Sequence, residues 1–82
     1  MSTTKRRRGF KGKVALRSLY DFEPLTVLGA YETDEHLFIE LEDGDDMIVD
    51  FIYLCENEDA AWDLYADYME EQTGRRPERR NK

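Results

Sequence analysis

Residues 36–54 read HLFIELEDGDDMIVDFIYL, and this stretch decides the fold. Leu37, Ile39 and Leu41 alternate with Phe38 and Glu40, so His36 to Glu42 is expected as a strand with one apolar face. Asp43-Gly44 follows. Glycine, and less readily aspartate, accepts positive φ, which a two-residue type I′ hairpin turn demands. Met47 to Leu54 then returns as the partner strand. It is apolar on both faces, with Ile48, Ile52 and Leu54 on one and Met47, Val49, Phe51 and Tyr53 on the other. Such a strand is expected at the centre of a sheet or covered twice. Asp50 interrupts it. Three readings stay open for this carboxylate: an exposed edge position, an acceptor for Tyr20 or Tyr65, or part of a partner surface.

Outward from the hairpin, Lys13 to Leu19 and Leu25 to Glu32 are expected as two further strands. Tyr20 to Pro24 connects them, Pro24 having no N–H for a ladder. On the other side a helix closes the domain. Asn57 can cap it, Glu58 and Asp59 suit its positive end, and Gly74 sits where a left-handed residue ends many helices. Leu64, Tyr68, Ala61, Tyr65, Met69 and Trp62 fall within one arc of about 160°, which should lie on the sheet. The expected fold is therefore α+β: a three- to four-stranded antiparallel sheet with one C-terminal α-helix packed on one face. Residues 1–12 read as a flexible basic arm, 13–73 as a single small acidic α+β domain, and 74–82 as a flexible basic tail.

Charge divides along the same boundaries. Residues 1–18 carry seven Lys and Arg and no acid, residues 19–73 carry 18 Asp and Glu and no Lys or Arg, and residues 74–82 carry five cations and Glu78. The net charge is −7. Segregation of this kind bears on partners rather than on fold. Asp59, Asp63, Asp67, Glu70 and Glu71 share the helix side opposite the apolar arc. Their like-charge pairs four residues apart each destabilise a helix by about 0.2–0.5 kcal/mol. A solvated helix face usually interleaves lysine; this one does not. With Glu42, Asp43 and Asp45 of the hairpin, these residues are the candidate surface for a basic protein partner. Carboxylates one helical turn apart recur every ~6 Å, dense enough to engage a groove that holds nucleic acid. In charge and size the chain is similar to DNA mimics, which implies an inhibitor of a nucleic-acid-handling protein, of the kind phages encode.

The alternative is nucleic-acid binding, or an adaptor role, through the basic arms. Lys5, Arg6, Arg7, Arg8 and Lys11 form one cationic cluster and Arg75, Arg76, Arg79 and Arg80 another. Those cations can instead lie on the acidic body, a contact that salt would weaken.

Other chemistry is not expected. His36 is the sole imidazole and Cys55 the sole thiol, and no serine has a base at a telling spacing, so no catalytic residue is assigned and the chain reads as non-enzymatic. Glu42-Asp43-Gly44-Asp45-Asp46 places its glycine wrongly for a calcium loop, so neither metal nor cofactor is expected. The single cysteine and the charged start lacking an apolar leader suit a reducing cytoplasm. No apolar run is long enough to span a bilayer. Trp62, Tyr65, Tyr68 and Met69 belong to the core at this spacing, and would be interface anchors if exposed. A second apolar sheet face would need the first strand, a partner or a second copy of the chain to cover it, so a homodimer is one expected arrangement.

Leu19-Tyr20-Asp21-Phe22-Glu23-Pro24 resembles the opening of SH3 domains, and Asp34 to Phe38 with Gly44-Asp45 is similar to that family's next segments. The resemblance implies that Tyr20 and Phe22 line a groove for a proline-rich peptide. The chain departs from the pattern in its spacing after Tyr20, in lacking the paired tryptophans, and in the helical segment standing in place of later strands.

Overall fold

The computed structural model describes residues 4–79. Six strands, a one-turn 3-10 helix and a C-terminal α-helix follow in the order β1 (Lys5–Arg7), β2 (Val14–Leu16), β3 (Leu25–Glu32), β4 (Leu37–Leu41), β5 (Asp46–Ile48), the 3-10 turn (Val49–Phe51), β6 (Tyr53–Cys55) and α1 (Glu58–Thr73). The class is α+β, with an open antiparallel sheet ordered β5-β4-β3-β2-β6 and β1 paired to β3. Six strands replace the expected three or four. The two sources of the difference are physical.

First, the apolar run from Met47 to Leu54 is not one strand. Its start pairs with β4, matching Phe38 to Ile48, while its end pairs with β2, matching Ala15 to Leu54. The run carries apolar residues on both sides because it crosses from one edge of the sheet to the other. Five flat strands would set those edges roughly 19 Å apart at about 4.8 Å per spacing. The five residue steps from Ile48 to Tyr53 reach about 17 Å even fully extended, and part of that path is a helical turn. The sheet must therefore curl. Second, β3 is long enough for two partners on the same side: Val14 and Ala15 face its first half, and Lys5 to Arg7 face its second.

The turn at Asp43-Gly44 also differs from expectation. Gly44 has φ 95°, but Asp43 does not share it, so the type I′ geometry is absent. Gly44 N–H donates to the Leu41 carbonyl at 3.0 Å and Leu41 N–H to the Asp45 carbonyl at 2.9 Å, giving a three-residue loop. One glycine suffices for such a loop, and Asp43 keeps its favoured backbone while its carboxylate accepts the Asp45 N–H at 3.1 Å.

Ala15, Val27, Ala30, Ile39, Leu41 and Ile52 form the core. Ile39 and Leu41 lie on the face that alternation assigned to them. Val27 and Ala30 are three apart, which strict alternation forbids, and they share the core because the pairing with β4 slips between Val27 and Gly29. Leu16 is fully buried yet alternates with Ala15, so it faces the side on which α1 packs against β2 and β6. The Tyr20 to Pro24 connection supplies the rest of that contact. Phe22 meets Trp62 edge to face at 5.0 Å and Tyr65 at 5.6 Å. The residues that the SH3 resemblance would place on a peptide groove thus meet the helix, with Phe22 half-buried beneath it and Tyr20 touching Tyr68 at 5.4 Å.

Candidate functional site: the acidic helix and its returning tail

The helix has defined ends. Asn57 Oδ1 accepts the Ala60 N–H at 2.8 Å, with Glu58 and Asp59 in the first turn. Gly74, at φ 79°, donates its N–H to the Glu70 carbonyl at 2.7 Å. Thr73 then fixes the exit: its hydroxyl donates to the Met69 carbonyl at 2.8 Å and accepts the Arg75 N–H at 3.3 Å.

That exit turns the chain back along the acidic side. Arg76 meets Asp67, Asp63 at 3.3 Å and Glu70 at 3.5 Å. Arg79 meets Asp59, and Glu58 at 3.0 Å. The contacts step towards the start of the helix, so the tail runs antiparallel to α1. Hydrogen bonding to Asp67 is the main cause that raises the Arg76 pKa, and hydrogen bonding to Asp59 does the same for Arg79. Both guanidinium groups stay charged. Ala66, between the apolar arc and this acidic row, is fully buried. Among the described residues, Glu71 has no ion-pair partner and Arg75 is exposed without one. Arg80 lies outside the described residues.

The hairpin carboxylates form a separate group. Arg17, just past β2, binds Asp43 at 2.5 Å and Asp45 at 2.6 Å, while Glu42 is exposed and makes no such contact among the described residues. The Asp43 pKa is lowered, first by the Asp45 N–H and then by Arg17. Arg17 takes the place a cation would have between these two acids.

The basic cluster is built on β1. Arg6 binds Glu40 at 2.8 Å across Gly29, where an added Cβ would come within 2.8 Å of the guanidinium. Arg7 reaches Glu32 at 3.7 Å and Lys13 meets Glu56, whereas Lys5, Arg8 and Lys11 are exposed with no ion pair among the described residues. On the same sheet face as Arg6, Tyr31 stacks on Phe38 at 5.1 Å and its hydroxyl donates to Asp46 at 2.9 Å, which raises the Tyr31 pKa.

Asp50 sits in the 3-10 turn and is exposed. His36 is exposed and Cys55 half-buried, with burial pushing its thiol pKa up. Among the described residues, no cluster of three or more His, Cys, Asp or Glu side chains is placed to hold a metal ion, and no helix is long and apolar enough to cross a membrane. The chain matches no family model, no curated protein and no solved structure.

Sequence reasoning found the acidic row, and gave the return of the basic tail onto the acidic body only as an alternative, without assigning Arg76 and Arg79 their partners. The available signal was Arg-Arg-Pro directly after the helix-ending glycine, which puts cations where the chain leaves the acidic helix. Arg17 escaped notice for a different reason, since it meets Asp45 from 28 positions away in the sequence.

Proposed function

We propose that this chain is a non-enzymatic acidic interaction protein whose helix row, Asp59, Asp63, Asp67, Glu70 and Glu71, engages a basic surface of a nucleic-acid-handling protein and inhibits it. The supporting observation is the grip on Arg76, one guanidinium held among three carboxylates. The row has the spacing to take up cationic side chains, and its own tail serves as an internal competitor. A partner groove lined with Lys and Arg offers many such cations at once, whereas the tail offers two.

The test is reversal of Asp63, Asp67 and Glu71 to Lys in the full chain, followed by capture from a lysate of the native host. A basic nucleic-acid-handling protein recovered with the wild type and lost with the variant supports the reading. Equal recovery with both means that the helix row is not the contact.

A second reading has its own support. Lys5 of β1, and Arg8 and Lys11 just after it, are exposed and unpaired among the described residues. They are free to meet phosphate. Replacing all three by Ala should weaken binding to duplex DNA or RNA measured by anisotropy, and unchanged affinity removes this reading.

A further inference from the structure

Beside the acidic row, the molecule exposes a run of aromatic rings. Tyr20, Phe51 and Tyr53 are 69%, 67% and 43% exposed. Phe51 and Tyr53 flank the buried Ile52 in extended backbone, so both project away from the core. Tyr53 lies on β6, against which α1 packs, and Tyr20 meets the ring of Tyr68 edge to face. Tyr53 is paired with Leu16 and so shares the sheet face on which α1 packs. The Tyr68 hydroxyl pKa is raised, first by hydrogen bonding to Tyr20. Leu64, Tyr68 and Glu71 form the helix row on this flank, away from the returning tail. A small soluble chain seldom leaves this many large side chains together in water without a use for them.

Three carboxylates adjoin these rings along the chain or the helix. Asp21 follows Tyr20, Asp50 precedes Phe51 and Glu71 lies one turn beyond Tyr68. All three are exposed, and none has an ion-pair partner among the described residues. The carboxylates under the tail are occupied; these are not.

We infer that Tyr20, Phe51, Tyr53 and Tyr68, bordered by Asp21, Asp50 and Glu71, form a docking surface for an extended Arg- or Lys-bearing segment of a protein partner. This rests on the reading of the chain as a binder of basic surfaces, and adds a place and a recognition chemistry. A guanidinium stacks on an electron-rich ring face, and its outward N–H groups then find the bordering carboxylates. Nucleic-acid bases would also stack on the rings, but their phosphates would meet the three unpaired carboxylates. A second copy of the chain would bring the same acids face to face. Charge complementarity selects the cationic protein segment.

The test titrates the isotope-labelled full chain with a synthetic Gly-Arg repeat peptide, followed by amide shifts and calorimetry, with a Gly-Glu peptide and a duplex oligonucleotide as comparisons. Shifts should centre on Tyr20, Phe51, Tyr53 and Tyr68. The exposed double substitution Phe51→Ser with Tyr53→Ser should weaken the Gly-Arg peptide by roughly tenfold, the scale expected for losing aromatic anchors. Asp50→Lys, which disturbs no packing, should weaken it as well. If both variants bind as the wild type does while Asp63→Asn with Asp67→Asn loses binding, the inference fails and the broader reading stands. Absence of any Gly-Arg binding by the wild type overturns both. Ring shifts caused by the oligonucleotide or the Gly-Glu peptide, or by dilution of the chain alone, would assign the surface to another occupant and overturn the inference.

Discussion

Phe22→Ala tests the packing of α1, which carries the acidic row and borders the tyrosine surface. The ring is half-buried and has two aromatic neighbours, Trp62 at 5.0 Å and Tyr65 at 5.6 Å. Full truncation of a core phenylalanine costs about 3–5 kcal/mol, and roughly half of that applies to a half-buried ring. Aromatic pairing adds about 0.5–1.5 kcal/mol for each good pair. Counting the one edge-to-face pair, the expected loss is about 2–4 kcal/mol, out of a total of roughly 4–12 kcal/mol for a chain of this length. With a urea dependence near the lower end for small domains, about 1 kcal/mol per molar, the midpoint should fall by about 2–4 M. Trp62 is the only tryptophan, so its emission reports the helix contact directly. Loss of Phe22 should shift that emission towards the solvated value even before unfolding. Phe22→Leu, which keeps much of the apolar volume, should recover most of the midpoint but little of the emission. An unchanged midpoint together with unchanged emission in Phe22→Ala would mean that the helix does not rest on the Tyr20 to Pro24 connection, and the placement of the tyrosine surface would fall with it.

Two other outcomes follow from local geometry. Asn57→Ala removes the acceptor for the Ala60 N–H and should cost about 0.5–2 kcal/mol in thermal or urea unfolding, whereas Asn57→Ser should cost little. Asp43 has its pKa lowered in the folded state, so its contribution is present above the ordinary carboxylate range and is lost as pH falls through the lowered folded value. Unfolding midpoints measured on acidification should therefore decline less steeply in Asp43→Asn than in the wild type, and parallel curves would count against the Arg17 and Asp45 contacts.

What the sequence made legible was whatever depended on local periodicity. The face of β4 followed from strict alternation of Leu37, Ile39 and Leu41, and the helix from its asparagine cap, its arc and Gly74. What it hid was set by distant partners. Val49-Asp50-Phe51 contains neither glycine nor proline, so nothing local marks the place where one apolar run becomes two strands. Lys5-Arg6-Arg7 has poor strand character and becomes β1 because the far half of β3 has a free edge to offer. The slip at Leu28 is likewise invisible to pattern, since the sequence there still alternates acceptably. For the candidate site the acids were evident one by one, but their division into a covered row and an uncovered border depends on where Arg76 and Arg79 go. Side chains spanning 13 or 20 positions, as Arg76 to Asp63 and Arg79 to Asp59 do, leave no periodic trace.

The pairing of β2 with β6 joins Val14 to Cys55, near the two ends of the sheet-forming sequence. It closes the longest loop of any strand pairing in the sheet, so we expect that seam to form late in folding. A nascent chain that has not yet emerged beyond Ile52 would hold a row of unpaired amides open to any passing strand. The last third of the polypeptide therefore decides when the first third becomes safe from aggregation.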